Sequence, residues 1–270
     1  MLDKLDPTSI PGQLRHVADA GLARVEDAGL NAAQPPEQLL MDGWLLRFSP
    51  GKARRARSVN AISAGRLGLD EKLEICRGRY AVAQLPLLFR ITPFSQPGSL
   101  DAFLEERRFE AIDETRVMTC VLPARGDTIA APCEFRSVDV HEFASAVGAL
   151  RGSPEAQIRA HELRLLGSPL ARSSVRRVGY VDGEAATAGQ TVIEADLAGL
   201  YDIVTAPARR GRGLGRALSA RLLADAQASG ARSAYLQVDA GNAVARRIYA
   251  RLGFEDRYAY WYRQPEGTVD

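Results

Sequence analysis

Residues 203–218, IVTAPARRGRGLGRAL, concentrate the residue types of an anion-binding turn. An apolar strand is expected to end at Thr205, and Arg210-Gly211-Arg212-Gly213-Leu214-Gly215 then stand at the mouth of an amphipathic helix. Glycines let backbone approach a ligand closely, first-turn N–H groups lack internal acceptors, and the helix dipole adds positive potential. Arg209, Arg210 and Arg212 add guanidinium groups suited to a pyrophosphate. Other phosphate motifs fit less well. A P-loop continues Gly-Lys-Ser/Thr, whereas Arg216 and Ala217 follow Gly215. A dinucleotide fingerprint needs a third glycine where Arg216 stands. A glycine-rich turn with no ligand is the plain alternative, and the coincidence of arginines with alternating glycines weighs against it.

Such a turn has to be carried by a strand before it and a helix after it. Three consecutive strands are expected from VRRVGYV, AATAGQTVI and GLYDIVT, with a turn at Asp182 and Gly183. The helix runs from about Leu214 to Ser229, with Leu214, Leu218 and Leu222 on one face and Gly230 as its stop. YLQV then gives a strand, Asn242 caps a helix to Leu252, and the aromatic segment FEDRYAYWYR closes the sheet. Upstream lie a strand at EFRSV and helical patterns around HEFASAVGAL and EAQIRAHELRLL.

The first half repeats part of this grammar. A helix is expected over residues 11–29, a linker at AAQPPEQ, a hairpin from Gly43 to Ile62, a helix over 70–81, and a closing strand at TRVMTCVL. The unit FRIT then LDAFLEERRFE parallels YLQV then ARRIYARLGFE, which suggests a duplication. Turn-rich PARGDTIAAPC marks the boundary. The expected division is 1–35 helix and linker, 36–130 first domain, 134–265 second domain. The fold class is α/β (α+β with a mixed sheet).

Composition limits the partners. A net charge of +2 over 270 residues, with a pI near 8.5, provides no field for nucleic acid or an anionic membrane. Three separated cysteines, Cys76, Cys120 and Cys133, suggest neither disulfides nor a metal site, and His141 and His161 read as surface residues without metal-ligand spacing. The N-terminus lacks a signal-peptide pattern and no apolar run is long enough for a span, so a soluble, cytoplasmic protein is expected.

The motifs resemble the GCN5-related N-acetyltransferase (GNAT) family. Arg210, Gly213 and Gly215 match its cofactor loop Gln/Arg-x-x-Gly-x-Gly/Ala, and Asn242, Ala245, Tyr249, Gly253 and Phe254 match its second block. The resemblance implies an acetyl-CoA-dependent enzyme without a metal, acting on a small-molecule or peptide amine, as a monomer or homodimer. It implies backbone amides of Ile203, Val204 and Thr205 that hold the pantetheine arm and polarise the thioester. It implies a pyrophosphate cradle from Arg209 through Gly211, Arg212 and Leu214 to Arg216, with Asn242 and Ala245 nearby, and Tyr249 as the acid that protonates the CoA thiolate. For the base, Asp202 and Asp239 are the best-placed carboxylates, with Glu194 behind them.

The first half resembles the degenerate half of tandem family members, so two GNAT-like domains are expected, each a twisted mixed sheet flanked by helices. It lacks Arg-x-x-Gly-x-Gly, Leu104 takes the place of Tyr249, and Arg108 takes the place of the glycine. It is expected not to bind CoA and to shape the acceptor pocket, with Trp44 and Arg55 as candidates, while residues 141–170 and Tyr258–Tyr262 choose the acceptor. Two rivals are a non-catalytic acyl-CoA-binding regulatory module and a nucleotide-binding protein.

Overall fold

A computed structural model describes residues 19–123, 133–167 and 173–268. Residues 11–18 of the expected first helix, most of the boundary segment 123–133, and 168–170 of the acceptor segment lie outside the described residues. The elements follow in chain order: α1 Ala20–Ala32, β1 Glu37–Met41, β2 Trp44–Phe48, β3 Val59–Ala61, α2 Leu69–Val82, β4 Phe89–Ile91, α3 Leu100–Glu106 and β5 Phe109–Val121. Then come β6 Glu134–Ser137, α4 Val140–Arg151, α5 Glu155–Leu166, β7 Ser173–Val181, β8 Glu184–Glu194, β9 Leu197–Thr205, α6 Leu214–Ala228, β10 Ser233–Asp239, α7 Ala243–Arg251 and β11 Glu255–Pro265. The order β3-α2-β4-α3-β5 recurs as β9-α6-β10-α7-β11.

The chain forms two compact units. Of the described residues, the first takes those up to Val117, Asp239–Gly241 and those from Asp256; the second takes those between Met118 and Val238 and Asn242–Glu255. The aromatic strand β11, from Asp256, thus groups with the first unit, because Trp261, Tyr262 and Arg263 pair antiparallel with Ile91, Arg90 and Phe89 of β4.

In the first unit, β1-β2-β3 is an antiparallel meander, and β3 pairs parallel with β4 through the α2 crossover. Trp44, Leu46 and Phe48 alternate inward from β2, and α2 answers with Leu73, Cys76 and Tyr80. Trp44 is therefore core rather than acceptor surface. It is fully buried, edge-on to Phe89, and its indole N–H donates to the Gln96 carbonyl at 3.0 Å. Arg55 is partly buried and its carbonyl accepts from Arg47 at 3.2 Å. Tyr258, Tyr260, Trp261 and Tyr262 are buried as well, which removes the expected aromatic acceptor surface. Arg90, between the core residues Phe89 and Ile91 of β4, faces the other side of the strand, where the buried Glu26 carboxylate takes both its terminal nitrogens at 2.5 and 3.0 Å and the Tyr258 hydroxyl. Burial works against that charge, but the Arg90 guanidinium outweighs it and holds the carboxyl below its usual range.

The second unit is also mixed. β6, β7, β8 and β9 are joined antiparallel, and β9 pairs parallel with β10 across the α6 crossover. Leu218, Leu222, Leu223 and Ala226 of α6 pack on Ala198 and Leu200 of β9. Phe143, Val147 and Leu150 of α4 cover Val178 and Ala188. A mixed sheet flanked by helices is the expected class. Among the described residues no helix is long and apolar enough to cross a membrane.

Candidate active site

Strand β9 changes partners midway. Its parallel ladder with β10 ends at Leu200 and Leu236, although the strands continue to Thr205 and Asp239. At that end the Tyr201 and Tyr235 hydroxyls are hydrogen-bonded at 2.5 Å. Past it, among the described residues, β9 pairs with β8 alone and its other edge has no ladder partner. The ladder to β8 is itself irregular: Asp202 and Ile203 stand against the single residue Gly189, a bulge that bends the strand. Asp202 takes a left-handed φ of 55° there. A Cβ on Gly189 would lie 2.4 Å from Ile203 Cδ1, so an alanine there must displace that side-chain end.

Beyond the bulge, the Thr187 hydroxyl donates to the Val204 carbonyl at 2.8 Å and lies 3.0 Å from that of Thr205. A short 3₁₀ turn, Pro207–Arg209, leads to Gly211 and Gly213, with φ of 77° and 79°. Gly213 caps α6 without a side chain, leaving the N–H groups of Leu214, Gly215 and Arg216 without intrahelical acceptors. Among the described residues, the buried Nε of Arg216 has no hydrogen-bond partner. Unmet donors at a helix N-terminus fit an anion such as a pyrophosphate. The arginines divide. Arg209 is paired with Asp182 at 3.2 Å and Glu184 at 3.6 Å; Arg210 and Arg212 are exposed, with Arg210 Nε donating to the Thr205 carbonyl at 3.4 Å.

After β10, Asn242 caps α7 by accepting the Ala245 N–H at 3.1 Å. One helical face then buries Tyr249 against Phe254, ring centroids 5.9 Å apart. Burial pushes the Tyr249 hydroxyl up to about 12, so it stays protonated at neutral pH.

The carboxylates fare differently. Asp239 is exposed, accepts the Gly241 N–H at 2.8 Å, and groups with the first unit, whereas Asp202 and Tyr249 belong to the second. Glu194 pairs with Leu197 at the far end of the β8–β9 ladder from Thr205, not behind Asp202. Asp202 receives His161 Nε2 at 3.2 Å, Gln190 Nε2 at 2.9 Å and Arg151 at 3.2 Å. Burial acts against its charge, but His161, Arg151 and Arg164 together hold the carboxyl far below the carboxylate range.

His161 is not the surface residue expected. It is 8% exposed, the one buried residue of α5, while His141 is exposed and pairs with Glu162. The signal was in the spacing: Ile158, His161 and Leu165 share one helical face. Among the described residues no group of three His, Cys, Asp or Glu side chains is placed to hold a metal.

The chain is similar to known proteins in sequence and in fold. The Acetyltransferase (GNAT) family model matches residues 127–254. The chain is 31% identical over 229 residues to the uncharacterized N-acetyltransferase YobR of Bacillus subtilis (strain 168), covering 82% of this chain and 89% of that one. The chain belongs to the GNAT family. In fold, this GNAT protein is similar to a GCN5-related N-acetyltransferase from Kribbella flavida, with TM-score 0.68, 18% identity, and coverage of 93% of this chain and 96% of that one. It is also similar to a tandem GNAT protein from the clavulanic acid biosynthesis pathway, with TM-score 0.57, 18% identity, and coverage of 76% and 73%. It is an N-acetyltransferase, and acyl transfer is its general chemistry.

Proposed function

We propose that this protein transfers an acetyl group from acetyl-CoA to a primary amine of a small molecule or peptide, by direct attack in the second unit. The observation that carries the reading is the end of the β9–β10 ladder at Leu200 and Leu236, just ahead of the glycine-capped α6. Acetyl-CoA supplies a thioester whose carbonyl carbon is open to a neutral amine.

The unladdered edge of β9 at Ile203, Val204 and Thr205 holds the pantetheine arm and directs an N–H at the thioester oxygen. One such donor typically contributes about 3 kcal/mol to the transition state. The cradle of Arg210, Gly211, Arg212, Gly213, Leu214, Gly215 and Arg216 takes the pyrophosphate, with Arg209 contributing least because Asp182 and Glu184 already neutralise it. Asn242 and Ala245 keep α7 in register, and Tyr249 protonates the departing thiolate. Asp202 and Asp239 were the candidate bases; Asp202, locked among three donors, is a fixed anion.

Calorimetric titration of the whole protein with acetyl-CoA tests the reading. One site per chain, weakened at least about tenfold by Arg210→Ala, is expected for a charge-assisted contact. No binding overturns the proposal, and two sites overturn the assignment of the first unit as unable to bind.

A further inference from the structure

Acetyl transfer at this site, on which the following rests, leaves unassigned the group that takes the proton from the incoming amine. We propose that His161 is that base and that Asp202 is its positioning residue. Helix α5 is otherwise partly or fully exposed, so a lone buried imidazole on it has a use other than filling the core. Phe143 flanks the ring at 6.1 Å, and the Nε2 edge meets Asp202 Oδ2 at 3.2 Å. Asp202 sits in the β9 bulge, one residue before Ile203.

The donor set fixes the tautomer. An ionised carboxylate only accepts hydrogen bonds, and Gln190 and Arg151 already hold Asp202 in place. Nε2 must therefore carry the proton toward Asp202, which leaves Nδ1 as the basic nitrogen of the neutral ring. Among the described residues the ring's hydrogen bond runs through Nε2, and 10% of the side chain reaches solvent. The charged groups around the pair are Arg151 at the end of α4 and Arg164 on α5, with the His141–Glu162 pair next along both helices. Asp202 holds a left-handed φ of 55° within that bulge.

The protons balance. His161 Nδ1 takes one proton from the substrate ammonium and passes it to solvent. The neutral nitrogen then bonds to the thioester carbonyl carbon as the C–S bond breaks, and the Tyr249 hydroxyl protonates the leaving sulfur. The nitrogen's surplus proton returns to Tyr249 through solvent, so each turnover yields the amide, free CoA thiol and one released proton.

Histidine-labelled full-length protein contains only His16, His141 and His161, so His161→Gln identifies the third imidazole by NMR. The expected neutral form is the Nε2–H tautomer, lost in Asp202→Asn. An imidazole whose neutral form is the Nδ1–H tautomer is a structural partner of Asp202 and overturns the proposal. In parallel, thiol release from acetyl-CoA is followed with spermidine, lysine amide and an alanyl dipeptide as acceptors. His161→Gln should lower kcat/KM about 100-fold at neutral pH and abolish the acidic limb of the profile, with acetyl-CoA affinity unchanged. A loss below about threefold with the limb intact also overturns it. Acetyl-CoA binding without acetylation of any of the three amines sinks the acetyl-transfer reading even if the tautomer is as expected, and separates that failure from a failure of His161.

Discussion

The carboxylate of Asp42 accepts the backbone N–H of Leu67 at 2.8 Å. It also takes the Arg66 N–H, and Lys72 Nζ lies 3.1 Å away. The turn so gripped joins β3 to α2, the same place in the element order that the Arg210–Gly213 turn has between β9 and α6. An internal anion thus meets the amides of this turn, where the second unit leaves those of its own turn open.

Those hydrogen bonds, the Leu67 amide first and then Arg66 and Lys72, lower the Asp42 carboxyl to about 2. A depressed carboxylate stabilises the fold above its unfolded pKa of about 3.9, and that contribution is lost as pH falls through the folded value. Asp42→Asn should therefore lower the melting temperature at neutral pH and flatten the acid arm between about pH 4 and pH 2. Melting curves across that window check it; an unchanged acid arm refutes the assignment.

Tyr249→Phe removes only a hydroxyl from a buried ring, so acetyl-CoA affinity should be unchanged while turnover falls roughly 100-fold or more. Steady-state rates beside calorimetry separate the two, and equal turnover would remove Tyr249 from the chemistry.

The two neighbouring arginines should behave unequally. Arg209 already satisfies Asp182 and Glu184, so Arg209→Ala should weaken acetyl-CoA less than Arg210→Ala does, and the Arg210 effect should fade with added salt. Titrations at two ionic strengths read both.

Gly189→Ala drives a Cβ against Ile203 and should cost about 1–3 kcal/mol of stability while straightening the bulge that carries Asp202. Denaturant midpoints and turnover should fall together.

Glu26→Gln leaves the Arg90 guanidinium buried without its counter-ion, at an expected cost of about 3–5 kcal/mol. Because the pair lies in the first unit, chemical denaturation read at Trp44 should show the change.

Most of the second unit could be read from the chain. Alternating strands, the glycine-capped helix and the Asn242 cap are local devices, so each leaves its mark in adjacent residues. What escaped was non-local. The burial of Trp44 and Tyr258 depends on β11 reaching β4, a pairing that no local pattern encodes. His161 was misplaced because its partner Asp202 is distant in sequence, and because a histidine among Glu162, Leu163 and Arg164 looks solvated until the helical face is drawn. Asp202 was singled out for its position, but its three donors come from α4, α5 and β8 and leave no trace beside it.

The seat of β11 beside β4 also bears on synthesis. As the chain leaves the ribosome, β4 emerges well before β11, and every strand of the second unit is translated in between. Nascent domains commonly fold in order of emergence. Here the first unit has an open sheet edge at β4 until β11 arrives. An unpaired edge is a template for wrong strands. The protein's most vulnerable interval is therefore translational, and slowed elongation between β4 and β11 should raise its dependence on chaperones.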